Sequence, residues 1–126
     1  MSDGDGSTEV LNPVEIEQLI RDAVANIAKG VQVVSTAHKR KLDSDRIYDN
    51  AFAVAFLTYE GPANAKKYAA EKATQQERLD RDVAEVAYQH AQRQMRALEG
   101  GLSAFQTISK SIQAMYGAAG FSGRGQ

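Results

Sequence analysis

The chain has no cysteine and no tryptophan, and only two prolines among its 126 residues. Without cysteine, disulfides and thiolate chemistry are excluded, and the composition fits a reducing, cytosolic setting. Aromatics make up only 7%, and alanine, which favours helix but buries little area, supplies much of the 43% apolar share. A wide compact core built from these residues would be thin. Neither sign of charge dominates: 15 basic and 16 acidic residues give a net charge of −1. That balance leaves no global field to draw nucleic acid or an anionic membrane. The longest apolar run, Ala51 to Leu57, is too short to span a bilayer. The opening residues, MSDGDGSTEV, are polar and acidic, so a secretory signal is not expected. A cytoplasmic protein without a membrane partner is the expectation.

What is present is helical periodicity. Residues 1–11 have little to bury and are expected to be disordered. Order is expected from Asn12-Pro13-Val14-Glu15, where Asn suits the N-cap, Pro the first helical position and Glu a capping box. Ile16, Leu19, Ile20, Ala23, Ile27, Val31 and Val34 then recur at helical spacing. After the polar stretch 36–45, Ile47, Ala51, Val54, Ala55 and Thr58 resume the stripe, with Phe52 and Phe56 on an adjoining face.

Gly61-Pro62 is the clearest punctuation, since Gly suits a helix end and Pro stops one helix and opens the next. A second helix is predicted from 62 to 116. Ala70, Ala84, Ala91, Leu98, Phe105 and Ile112 form one inward row at multiples of seven. Ala73, Ala87, Met95, Leu102, Ile108 and Met115 form a second. The adjacent Gly100 and Gly101 cost roughly 2 kcal/mol of helix propensity, yet the rows pass through them in phase. The predicted fold is all-α: a long antiparallel, coiled-coil-like helical hairpin over 12–116, with its turn near 60–62. A flexible glycine-rich tail is expected over 117–126. With the turn there, residue 38 would face a residue near 83.

Motifs for phosphate cradling, metallohydrolysis or a serine nucleophile are missing, so no enzyme, cofactor or metal is expected. The two histidines, His38 and His90, lie about two turns out of register in the expected hairpin. Glu77, Arg78, Asp80, Arg81, Asp82 and Glu85 read as a solvated belt of mixed charge. Lys39, Arg40, Lys41 and Arg46 form a cationic cluster and are the candidate nucleic-acid contacts. Two helices cannot enclose every apolar face, so a homo-oligomer is expected. Phe52, Phe56, Met95, Leu98, Leu102, Phe105, Ile108 and Ile112 are its candidate interface.

The run Ala-Glu-Val-Ala-Tyr-Gln-His-Ala at 84–91, with Arg-Ala-Leu-Glu at 96–99 and Leu-Ser-Ala-Phe-Gln-Thr-Ile-Ser-Lys-Ser at 102–111, resembles small helical accessory proteins of tailed bacteriophages and prophages. The resemblance covers the second helix alone, and where that group has an acidic pair this chain has Gly100-Gly101. It implies a phage accessory protein of the bacterial host cytoplasm that acts through another phage or host protein. The alternative it implies is a nucleic-acid-binding factor in phage recombination or replication.

Overall fold

The structure, a computed structural model, describes residues 12–124, and the surroundings of side chains from 12 to 118. The 1–11 segment expected to be disordered lies outside the described residues, as do the last two residues of the tail. Nearly all of the described residues are helical, and none of them is in a strand. Helix α1 runs Pro13–Thr58, a 3-10 turn covers Ala63–Ala65, α2 runs Lys66–Ala73 and α3 runs Gln75–Arg124.

The start of α1 follows from its cap. The Asn12 Oδ1 accepts the Glu15 backbone N–H at 2.8 Å, and the Ile16 N–H reaches the Asn12 carbonyl at 3.1 Å. The Asn12 side-chain amide donates in turn to the Glu15 carboxylate, so cap and carboxylate hold each other. At the other end, the Thr58 hydroxyl donates to the Val54 carbonyl at 2.7 Å, and the helix stops. A Cβ at Gly61 would lie 2.5 Å from the Tyr59 hydroxyl oxygen, so a larger residue there would push the end of the Tyr59 side chain aside. Pro62 is extended (φ −60, ψ 137) and opens the 3-10 turn.

The second helical stretch is interrupted where one continuous helix was expected. Thr74 sits between α2 and α3 at φ −117, ψ 24, and its N–H reaches back three residues to Glu71 at 3.3 Å. Its side chain is 2% exposed, and its hydroxyl donates to the Ala70 carbonyl at 2.8 Å. A buried β-branched hydroxyl that competes for helix carbonyls accounts for the local tightening. Gly100 and Gly101, by contrast, do not break α3, and a Cβ on either would meet nothing within 4 Å. The tail expected to be flexible from 117 is also helical, since α3 continues to Arg124. Extending an existing helix avoids the nucleation cost that an isolated glycine-rich segment would face.

The 12–116 stretch, read from sequence as one hairpin domain, falls into two compact units. One joins residues 12–29 with 96–124, and the other spans 30–95. In the first, Ile16 and Ile112 are buried at 2% and 3% exposure, Ala23 is buried, and Ile20, Ile27, Leu98, Leu102 and Phe105 are half-buried. In the second, the buried residues are Ala70, Thr74, Ala84 and Ala91, all of them small.

Within the 30–95 unit the inward positions alternate at steps of four and three. On α1 they are 30, 34, 37, 41, 44, 48, 51 and 55, and on α2 and α3 they are 70, 74, 77, 81, 84, 88, 91 and 95. The first expected row is therefore inward along its whole length. The second is shifted by one residue at several places. Ala73 and Ala87 are exposed while Thr74 and Tyr88 beside them point in, and Ile108 and Met115 of the other unit are also exposed. Val31, Ile47 and Val54 of α1, expected inside, are each more than half exposed.

Candidate interaction surface

The inward positions of the 30–95 unit are largely small or polar, and aromatic and charged side chains pair along and beside them. His38 stacks on Tyr88 with ring centroids 4.9 Å apart. Lys41 donates to Asp45 at 3.0 Å and lies 3.4 Å from Glu85 across the contact. These two carboxylates, Asp45 foremost, push the Lys41 ammonium above its ordinary pKa. Arg81 packs its guanidinium 4.4 Å from the centre of the Tyr48 ring. Tyr48, Phe52 and Phe56 then form a ladder along α1 with centroids about 6 Å apart, and Lys66 closes it 4.8 Å over Phe56. As numbers rise on α1 through 38, 41, 48 and 56, their partners fall through 88, 85, 81 and 66.

Residue 38 thus meets 88 where the sequence placed it opposite 83. The physical reason is the connection, which continues through the 3-10 turn to Ala65 and moves the point of reversal along the chain. His38 and His90 are both exposed, and His38 stacks on Tyr88 rather than meeting His90. No group of three or more His, Asp or Glu side chains that could hold a metal ion occurs among the described residues.

The candidate nucleic-acid contacts are dispersed by these pairings. Lys41 is bound to Asp45 and Glu85, Lys39 lies 3.6 Å from Asp43, and Arg46 donates to the same Asp43. Arg40 alone has no ion-pair partner among the described residues, and it lines a different groove, with Gln32, Val33, Thr36, Ala37 and Ala87. A cluster contiguous in sequence is therefore divided around the helix, because consecutive residues are about 100° apart.

The candidate oligomer interface is largely used inside the chain. Ile112 is buried, and Phe52, Phe56, Met95, Leu98, Leu102 and Phe105 are half-buried, while Ile108 is 38% exposed. In the 30–95 unit the large aliphatic side chains that face outward are others: Val31, Val33, Ile47, Val54 and Leu57 on α1, and Leu79, Val83 and Val86 on α3, each above 50% exposed. Sequence reasoning placed Ile47 and Val54 in the core because they are apolar and correctly spaced. Only the rotation of α1 about its axis turns them out.

No protein-family model, curated protein or solved structure matches this chain. No helix among the described residues is long and apolar enough to cross a membrane.

Proposed function

We propose that this chain is a non-enzymatic interaction module: a homo-oligomeric accessory factor of a tailed phage or prophage that binds another phage or host protein in the bacterial cytoplasm. Its architecture in this reading is a long antiparallel helical hairpin with a coiled-coil-like seam. The alternating steps of four and three between inward positions support that architecture. So does the fall of partner numbers along α3 as they rise along α1.

One observation carries the oligomer reading. Among the described residues only Ile16 and Ile112 are large apolar side chains that are buried, whereas eight large aliphatic side chains of the 30–95 unit stand more than half exposed. Two helices with so little buried area are marginal on their own, and a second copy or a partner protein supplies the missing burial. The phage setting rests on the resemblance at 84–111. The nucleic-acid alternative is the second reading, and the carboxylates of Asp43 and Asp45 beside Lys39, Lys41 and Arg46 weigh against it.

Sedimentation equilibrium on the full chain tests the reading. Self-association at about ten micromolar and above, with no binding to duplex or single-stranded DNA, is the expected result. A monomer at every concentration rejects the oligomer. Salt-dependent DNA binding abolished by alanine at positions 39–41 would replace this reading with the nucleic-acid one.

A further inference from the structure

The two flanks of the 30–95 unit are unequal, and in the opposite sense to their hydrophobicity. On one flank lie the residues just after inward positions: Val31 and His38 of α1 are exposed, whereas Asp45 and Phe52 of α1, with Arg78, Glu85 and Gln92 of α3, are half-buried. On the other lie the residues just before inward positions: Val33, Arg40, Ile47 and Val54 of α1, with Asp80 and Ala87 of α3, all exposed. From position 45 of α1 onward the helices therefore close over the more polar flank, while the more apolar one is open at each of these positions. Val33 is 56% exposed, Ile47 59% and Val54 53%. That both helices contribute to this open flank is seen in the groove where Val33, Ala37 and Arg40 of α1 meet Ala87 of α3.

We infer that this open flank, centred on Ile47 and bordered by Val33 and Val54, is where a second copy of the chain docks; the inference rests on the oligomer reading above. Charge favours a copy of the same chain over an unrelated protein. Arg40 and Asp80 are opposite charges on one flank, and neither has an ion-pair partner among the described residues. In an isologous pair each copy presents both groups, so the arginine of one meets the aspartate of the other without any further residue type. The area is also adequate. From position 33 to 54 the flank runs about 30 Å along α1 and spans two helices, about 20 Å, by ordinary helix dimensions. A corrugated face of that size approaches the roughly 800 Å² per partner that a stable interface takes. Both charges lie within it: Arg40 stands between Val33 and Ile47 along α1, and Asp80 precedes Arg81, which meets Tyr48.

The chain's lack of cysteine makes the test direct. Single substitutions Ile47→Cys and, on the outer face, Val83→Cys each introduce one thiol into the full-length protein. Maleimide labelling is followed across a dilution series alongside sedimentation velocity. The thiol introduced by Ile47→Cys is expected to label about ten-fold more slowly at concentrations where the protein associates than where it is dissociated. The thiol introduced by Val83→Cys is expected to label at one rate throughout. Arg40→Asp is expected to weaken association about ten-fold, and adding Asp80→Arg to restore most of it. Association with no slowing at Ile47→Cys would overturn this flank and leave the oligomer standing. A wild-type chain that stays monomeric would overturn both. Protection at Ile47→Cys without rescue in the Arg40–Asp80 swap would overturn the isologous pairing of those charges.

Discussion

Ile16→Ala and Ile112→Ala probe the most consequential burial in the 12–29 and 96–124 unit. Both isoleucines are almost fully enclosed, at 2% and 3% exposure, and both line one groove with Pro13, Glu17, Ile20, Ser109 and Gln113. Each change removes three carbons, and at about 0.8 kcal/mol per buried methylene that is roughly 2.4 kcal/mol of lost transfer free energy. The additional cavity cost should be small, because the site borders an open groove that water can enter. The expected loss at Ile112 is therefore about 2.5 kcal/mol, near the lower end for isoleucine-to-alanine changes. At Ile16 the loss has a ceiling. It lies in the first turn of α1, which can fray once its anchor is gone, so the cost cannot exceed the free energy of local opening. The double variant should lose less than the sum of the two, by about 1 kcal/mol, since either truncation already empties the shared groove. Urea unfolding followed by helical circular dichroism at one fixed protein concentration measures all three. A loss of 2.5 kcal/mol moves the midpoint by roughly 1–2 M for a small protein. Two single variants within about 0.5 kcal/mol of wild type would show that this pair does not carry the unit. Strict additivity would show that the two side chains do not share one site.

Other outcomes follow from the local chemistry. Gly100→Ala with Gly101→Ala should raise stability by about 1–2 kcal/mol, because neither Cβ meets anything within 4 Å and glycine is costly inside a helix; thermal unfolding checks it. Asn12→Ala should cost about 1 kcal/mol by removing the cap on α1, and Asn12→Asp should restore most of it. Thr74→Val keeps the buried shape but loses the hydroxyl bond to the Ala70 carbonyl, and should cost roughly 1–2 kcal/mol in urea unfolding. The Lys41 pKa is raised in the folded chain by Asp45 and then Glu85, so its contribution is complete below the ordinary value of 10.5 and disappears as pH climbs through the raised one. The melting-temperature gap between wild type and Lys41→Met should accordingly stay level through neutral pH and close in strong alkali.

Much of the backbone was legible in the sequence, because helix starts and stops are local. Asn12 and Glu15 cap α1 as their types require, and the connection contains Gly61-Pro62. Glycine at 100 and 101 did not end α3, consistent with the unbroken phase from Leu98 through Phe105 to Ile112. The row from Ala70 to Ile112 points inward as its spacing of seven demands. The second row was misplaced for an identifiable reason. A reading by hydrophobicity chooses Ala73, Ala87 and Ile108, but the angle set by the neighbouring helix brings in Thr74, Tyr88 and Ser109. Thr74 tolerates burial because its hydroxyl finds a helix carbonyl, and Tyr88 because His38 covers its ring.

The sequence by itself thus determined that the chain is helical, where α1 begins and which single stripe of α3 is buried. These depend on capping, propensity and period, which act within a few turns of one helix. Only the tertiary structure decided that 38 meets 88, that Lys41 reaches Glu85 on the other helix, and that Ile47 and Val54 face outward. Those features depend on how far each helix is rotated about its axis and slid along its neighbour. Rotation and register minimise a sum over every contact on both helices.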